Sequence, residues 1–249
     1  PEIEQLEWAR EIFGAHIPNP NELTDLETSA RFYIEDNGEI HLHSNFLLDT
    51  TKESKNVTVA FVLKDKILFT VRNEELPVFR LQRLRARAEA GYVSQAKDVL
   101  LDLYAADIEY SANALEDVYS RLEKVGSQVV KSYMTNSQAA TILSDIAIEE
   151  DLNGKIRRNV MDTRNALSFL MRSKLLSASQ HEDVKEILRD IDSLDGHTSF
   201  LFNKINFQMD ATVGFLNVNQ NIDLKRLTII SVVFMPVNII AGIGGMSEF

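Results

Sequence analysis

The period of hydrophobic and polar residues changes along the chain, and the first part alternates as strands do. Residues 31–48 alternate around a central DNG and residues 58–71 around a central KDK, whereas residues 2–14 have a helical period. Alternation predicts half-buried strands, and a glycine in a short turn predicts a hairpin because it tolerates positive φ. We therefore expect a small mixed sheet with flanking helices here.

After Pro77 the chain has the helical period throughout. Apolar residues three and four apart predict one helix over residues 99–125 and another over residues 140–176, with a break at Asn153-Gly154. From His181 the same period continues to the end of the chain. A helix of that length extends beyond one globular domain, so we expect it to form a stalk.

These patterns together predict an α+β fold with a linear division of the chain. We expect a mixed α/β domain over residues 1–92, helical arms over 93–177, a stalk helix over 178–226 and a transmembrane helix over 227–247. The division follows the change from the strand period to the helical period and then the loss of charge.

The transmembrane assignment rests on a run without charged side chains from Leu227 to Ser247. As a helix this run spans about 30 Å, the thickness of the hydrocarbon core of a bilayer. Lys225 and Arg226 precede it and Glu248 follows it. Segments on the cytoplasmic side of a membrane carry an excess of Lys and Arg, so this basic pair favours a cytoplasmic location for the large acidic part of the chain.

Polar side chains within this run share one helix face. Steps of alternately three and four residues along the helix place Thr228, Ser231 and Asn238 on one seam, and a repeat of 3.5 directs a seam toward the axis of a left-handed bundle. Polar groups at membrane depth are costly unless they face neighbours or water. The face, which we call the polar seam, comprises Asp210, Gly214, Asn217, Asn221, Leu224, Thr228, Ser231, Met235, Asn238, Gly242 and Gly245.

Two interpretations of the polar seam remain open from its spacing alone. Small and hydroxyl residues at this spacing also pack helices together in a membrane dimer. A packing seam, however, does not need the carboxylate and amides of Asp210, Asn217 and Asn221, which continue the seam below the uncharged run. Their presence favours a pore.

Composition excludes several classes of function. The 249 residues carry a formal net charge of −11, which argues against nucleic acid as a partner, and the absence of cysteine excludes thiolate sites. We find no phosphate loop, dinucleotide fingerprint or nucleophile–base arrangement, so we expect no enzyme. His41 and His43 alternate on one predicted strand, but no third metal ligand is evident, and a surface pair is the favoured interpretation.

Four stretches carry a resemblance to a known family: ELPVFRLQRLRARAE, MDTRNALSFLMR, EILRDIDSL and SVVFMPVNIIAGIGGM. In this order they resemble the CorA family of magnesium/cobalt transporters, its enterobacterial branch most, and the similarity covers nearly the whole chain. The family's Gly-Met-Asn signature matches Gly245, Met246 and Ser247, so serine replaces asparagine and leaves ion preference open. Gly244 replaces the tyrosine that usually precedes the signature.

The resemblance implies a homopentameric funnel in the bacterial inner membrane, with an α/β/α cytoplasmic domain. A second transmembrane helix and a basic tail would follow Phe249. The implied pore positions are Asn221, Met235, Asn238 and Gly245, with Asp210 in the funnel, and all of them lie on the polar seam. The implied selectivity loop is Gly245–Ser247, and the implied cargo is Mg²⁺, with Co²⁺ and Ni²⁺ as further candidates.

The seam also suits the chemistry of hydrated Mg²⁺, which sheds its water reluctantly and is best contacted by neutral acceptors. Amides of Asn221 or Asn238 and carbonyls of Gly245 supply such acceptors, while rings of Leu224 and Met235 could close the pore by dewetting. The membrane potential would drive uptake. The alternatives are transport of Zn²⁺ or another divalent cation by the same fold, and a non-conducting, membrane-anchored coiled-coil scaffold.

Family members also sense cytosolic cations at protomer interfaces, which the resemblance extends to regulatory Mg²⁺ here. The best matching residue is Asp190, with Asp192 and Asp195 near it. The alternative for each carboxylate is a solvated helix face.

Overall fold

The computed structural model describes residues 3–18, 28–51, 53–89, 91–129 and 134–245. A sheet comes first and long helices follow, so the predicted α+β class is confirmed. The elements are α1 (Ile3–Phe13), α2 (Thr28–Arg31), β1 (Phe32–Ile34), β2 (Ile40–Asp49), β3 (Ser54–Lys64), β4 (Ile67–Val71), α3 (Pro77–Ala88), α4 (Ala96–Val129), α5 (Asn136–Arg172) and α6 (Ala178–Gly245).

The chain divides into two compact units. The first contains Pro1–Ser120 and Glu149–Phe202, and the second contains Arg121–Ile148 and Asn203–Phe249. Each of the three long helices contributes one part to each unit, so the units are not consecutive segments of sequence. The linear division expected from the sequence stays a prediction.

The sheet is an antiparallel meander in the order β1-β2-β3-β4, so the expectation of a mixed sheet is wrong. The reason is that short turns connect these strands, and a short turn can join only antiparallel neighbours. The turns themselves are as predicted. Gly38 has a φ of 85° in the first, and Asp65 has a φ of 52° in the last, where an aspartate tolerates the left-handed region.

One face of the sheet packs against helices α3 and α4. Phe46 on β2 lies 5.7 Å, between ring centroids, from Phe79 of α3 and 5.8 Å from Tyr104 of α4. Phe61 on β3 joins the same aromatic cluster, and Phe61, Phe46 and Tyr104 are fully buried. Clusters of this kind dominate core energetics because each ring removes a large apolar area from water.

The opposite face is covered by α1 and the residues that follow it. Phe13 at the end of α1 lies 5.3 Å, between centroids, from Phe69 of β4. With helices on both faces, the predicted α/β/α layering is confirmed, and β2 is buried along almost its whole length. The core on this side contains Ala15, Ile17, Ala60 and Val71.

A buried polar network ties β2 to α5. Arg31 forms an ion pair with Asp162 at 2.6 Å, and a second nitrogen of Arg31 donates to Asp162 Oδ2 at 2.7 Å. The same Oδ2 atom accepts the backbone N–H of Asn45 at 2.6 Å. Both charges are nearly inaccessible to water, so the pair depends on this complete set of partners.

Helix α5 runs through Asn153-Gly154 without interruption, so the predicted break is wrong. Asn153 is buried and donates from its side chain to the carbonyl of Thr198 on α6 at 3.0 Å. Leu152 and Ile156 are buried beside it. This packing outweighs the cost of about 1 kcal/mol for a glycine inside a helix.

Helix α6 contains 68 residues and continues through Pro236. It begins with a capping box, in which the N–H of Gln180 donates to Ser177 Oγ at 3.2 Å and the N–H of Ser177 donates to Gln180 Oε1 at 3.1 Å. The single long helix expected from the apolar period is therefore present.

Candidate ion pathway

One helix in the described part of the chain is long and apolar enough to cross a membrane. This helix is α6 over Ala178–Gly242, and its most apolar 18-residue window has a mean hydropathy of 1.6. Length and composition alone are weak support, because a core helix of a soluble protein meets the same criteria. A core helix is mostly buried, however, whereas none of this window is.

In the second unit, α6 packs against its own chain through one stripe of residues. Ile205, Gln208 and Thr212 are buried. Gln208 Nε2 donates to the carbonyl of Leu122 at 2.8 Å, and Asn219 Nδ2 donates to the carbonyl of Met134 at 2.7 Å. We call these four residues of α6, namely Ile205, Gln208, Thr212 and Asn219, the packing stripe.

The lower part of the polar seam lies on the other side of the helix. Asp210, Gly214, Asn217 and Asn221 are all exposed. With 3.6 residues per turn, their mean direction is about 180° from that of the packing stripe. The seam residues are therefore turned away from the unit to which their helix belongs, and they remain available to water or to other copies of the chain.

The upper part of the seam is exposed on the same line. Leu224 and Met235 are 61 % and 65 % exposed, and the hydroxyl of Thr228 donates to the carbonyl of Leu224 at 2.9 Å. That bond satisfies the hydroxyl proton within the helix and leaves the oxygen lone pairs as acceptors. The remaining predicted positions, Ser231, Asn238 and Gly242, are exposed as well, Gly245 ends α6, and Met246 and Ser247 lie outside the described residues.

Asp190 lines an open acidic pocket of about 510 Å³ in the first unit, together with Asp183 and Glu186 of the same helix. Asp98 and Asp102 of α4 line it too, but both have hydrogen-bond donors. Tyr92 donates to Asp102 at 2.7 Å. Burial opposes ionisation of Asp98, yet donors that include Gln180 and Ser94 outweigh it and lower the pKa of Asp98.

Asp192 and Asp195 have different partners from Asp190. Asp192 forms an ion pair with Arg164, and Asp195 forms one with Arg157 at 3.2 Å. The spacing accounts for the separation, since residues two and five positions after Asp190 point about 160° and 140° away from it on a helix. The three carboxylates therefore do not converge.

His41 and His43 are both buried, so the interpretation of a surface pair is wrong. They lie on β2, which has strands on both sides and helices over both faces. Glu35 and Glu39 flank the first turn and bring their carboxylates to His41, so that one oxygen of each and a ring nitrogen lie within 4.8 Å of one another. The spacing E-x-x-x-E-x-H across a predicted hairpin turn is the signal that could have found them.

Known sequences resemble the chain along most of its length. A family model described as CorA-like Mg²⁺ transporter protein matches residues 1–247. A relative from Haemophilus ducreyi is 44 % identical over 227 residues, which cover 91 % of this chain and 71 % of the relative. A relative from Escherichia coli is 42 % identical over 235 residues, which cover 94 % of this chain and 74 % of that relative. Both are called magnesium transport protein CorA.

Solved structures share the fold at low sequence identity. The complete CorA magnesium transporter from Methanocaldococcus jannaschii has a TM-score of 0.79 at 16 % identity and covers 100 % of this chain and 78 % of its own. The cytoplasmic domain of ZntB from Vibrio parahaemolyticus has a TM-score of 0.68 at 13 % identity. That match covers 87 % of this chain and 84 % of the ZntB domain. On the family match and the close relatives, the chain belongs to the family of CorA-like Mg²⁺ transporters, a family of transporters rather than enzymes.

Proposed function

We propose that this protein carries divalent cations, Mg²⁺ first among them, across a membrane through a pore lined by α6. The observation that carries the proposal is the direction of the polar seam, whose exposed residues lie about 180° from the packing stripe. A seam in this direction is free to face a shared centre. The similarity to magnesium transport proteins at 40–44 % identity supports Mg²⁺ as the cargo.

Five copies of the chain surround this pore, with residues 227–247 of each crossing the bacterial inner membrane. The unburied apolar window of α6 supports a location in lipid, because so much exposed apolar surface is unfavourable in water. The basic pair Lys225-Arg226 at its start favours a cytoplasmic location for the large domain.

The seam passes the ion with most of its water shell in place. Mg²⁺ dehydrates reluctantly, so neutral acceptors such as the amides of Asn221 and Asn238 and the carbonyls of Gly245 contact its waters. Rings of Leu224 and Met235 close the path by dewetting. No nucleotide is needed, because a divalent ion that moves inward across about 100 mV gains roughly 4–5 kcal/mol.

Regulation by internal Mg²⁺ acts through Asp190. Its pocket gathers carboxylates, and an ion bound there by two protomers would hold them together until the internal concentration falls. Loss of the ion leaves like charges in proximity and favours opening. Asp192 and Asp195 contribute less, since arginines of α5 neutralise them.

The test is Mg²⁺ flux into liposomes that contain the full-length protein. Asn221→Leu removes an acceptor from the seam, and we expect it to lower the flux by about tenfold or more. Gln220→Leu is the matched control, because it removes an exposed amide one residue away and about 100° around the helix. Equal flux in the two variants would refute the pore.

Two further measurements separate the alternatives. A non-conducting scaffold predicts no flux in the wild-type protein, and light scattering distinguishes a pentamer from a dimer. Parallel flux of Mg²⁺, Co²⁺, Ni²⁺ and Zn²⁺ determines the preferred ion, which the serine at position 247 leaves open.

A further inference from the structure

The first hairpin brings two carboxylates and an imidazole to the same face of the sheet. Tyr33 on β1 pairs with His41 on β2, and side chains two residues apart along a strand point to the same side. Glu35 and Glu39 extend these strands into the turn, where the N–H of Glu35 donates to the carbonyl of Glu39 at 2.9 Å. The N–H of Glu39 donates to Asn37 Oδ1 at 2.9 Å. The turn therefore holds both carboxylates beside His41.

His41 is fully buried, and neither of its ring nitrogens has a hydrogen-bond partner within the described ranges. Nε2 lies 3.5 Å from Glu35 Oε1 and 3.7 Å from Glu39 Oε2, which is longer than an ordinary hydrogen bond. Buried polar atoms without partners are costly and uncommon in folded proteins. The Nε2 atom therefore faces both carboxylates at separations that leave space for an ion between the three groups.

These distances fit a metal ion. In a tetrahedral zinc site with bonds of about 2.0–2.1 Å, neighbouring ligand atoms lie about 3.3–3.4 Å apart. The separations of 3.5 and 3.7 Å between His41 Nε2 and the carboxylate oxygens are within a few tenths of an ångström of that value. Small side-chain rotations of Glu35 and Glu39 would complete the coordination.

Neighbouring groups hold the side chains of His41 and Glu39 in fixed positions. The ring of Tyr33 stacks on that of His41, with centroids 4.7 Å apart and planes 3° apart. Lys64 Nζ lies 2.8 Å from Glu39 Oε1, and the N–H of His16 donates to Glu39 Oε2 at 3.1 Å. Partners of this kind orient metal ligands and are often as important as the ligands themselves.

The protonation states agree with this geometry. Burial lowers the pKa of His41, against the attraction of Glu35 and Glu39, so the imidazole is neutral and keeps a lone pair. Burial alone would raise the pKa of Glu39, but the hydrogen bonds from Lys64 and His16 lower it and keep the carboxylate ionised.

We propose that Glu35, Glu39 and His41 bind one divalent cation of the Zn²⁺, Co²⁺ and Ni²⁺ class. A mixed set of imidazole and carboxylate ligands suits these ions, whereas Mg²⁺ prefers oxygen ligands and keeps several waters. With Lys64 counted, two carboxylates and a neutral imidazole leave one net negative charge to attract the ion. Glu35 is 30 % exposed, which gives an entry path and room for a water or the exposed His16 as fourth ligand.

This site does not depend on the proposed transport. Its residues belong to neither the polar seam nor the acidic pocket that contains Asp190. Cation binding here is therefore measured separately from flux, and either proposal can fail alone.

Co²⁺ is the probe, because four-coordinate Co²⁺ absorbs visible light far more strongly than the hydrated octahedral ion. The full-length protein in detergent, with Mg²⁺ in excess to fill oxygen-only sites, is titrated with Co²⁺. We expect one strongly absorbing ion per chain, displaced by Zn²⁺ and not by more Mg²⁺. His41→Gln and Glu35→Gln should each weaken binding by at least about tenfold. Asp36→Asn, which removes an exposed charge from the same turn, should leave it unchanged.

Several results would overturn the site. These are an absence of the absorption bands, bands that persist in both ligand variants, or displacement by Mg²⁺. Circular dichroism shows whether each variant folds. If His41→Gln does not fold, Glu35→Gln decides the outcome, because Glu35 is partly exposed, and full Co²⁺ binding by that variant rejects the proposal.

Discussion

Asp107 on α4 is a fully buried carboxyl whose ionisation should make stability depend on pH. Its Oδ1 atom accepts the N–H of Leu47 on β2 at 3.2 Å, and its Oδ2 atom accepts from Asn159 Nδ2 on α5 at 2.7 Å. Burial raises the pKa of Asp107 from 3.8 to about 7, because these two donors only partly replace water and Asp162 adds a negative charge.

The direction of the pH dependence of stability follows from the raised pKa of Asp107. The folded protein holds the proton on Asp107 more tightly than the unfolded chain does, so the stabilising contribution is complete below pH 3.8 and is lost as pH rises through about 7. The difference between 3.8 and about 7 corresponds to about 4 kcal/mol in total. Between roughly pH 5 and pH 8 the free energy of unfolding should therefore fall by about 3 kcal/mol from this group.

Asp107→Asn tests this reasoning, since an amide keeps the size of the side chain and cannot ionise. We expect the variant to lose that part of the pH dependence and to gain stability relative to wild type as pH rises from 5 to 8. The assay is the thermal unfolding midpoint by near-ultraviolet circular dichroism at several pH values, with the exposed Asp36→Asn as the control. The reasoning is refuted if Asp107→Asn retains the wild-type pH slope, or if its deficit grows with pH.

Two further predictions concern the helices. Gly154→Ala should stabilise the protein by up to about 1 kcal/mol, since the new methyl group meets no atom within 4 Å. Gly126→Ala should destabilise it, because its Cβ would lie 2.8 Å from Gln208 Nε2 and would displace that buried amide from its hydrogen bond to the Leu122 carbonyl. Denaturation of both variants gives the comparison, and a stabilised Gly126→Ala would contradict it. Asp190→Ala should relax the inhibition of flux by internal Mg²⁺, and Asp192→Ala should do so far less because Arg164 holds that carboxylate. Equal inhibition of wild type and Asp190→Ala in liposomes of defined internal Mg²⁺ would remove the regulatory role.

Sequence alone determined the features that depend on neighbours along the chain. Apolar residues that repeat every two or every 3.6 residues, together with residues that tolerate positive φ, determine these features. They are the hairpin turns, the end of α1 before Gly14 and the length of α6. The spacing of the polar seam is of the same kind. A seam defined by intervals of three and four residues is read from any helical stretch, whatever surrounds it.

The tertiary structure decided which faces are covered and which charges are paired. Asn45 and Asp162 meet from positions 117 apart, and the buried environment of His41 requires a sheet with both faces covered. The packing of Asn153 on Thr198 keeps α5 unbroken. Contacts between distant residues set these outcomes, since burial and ion pairing depend on what the fold brings near. The spacing of the seam was therefore legible in the sequence, but its direction away from the packing stripe was decided only when α6 packed against α4.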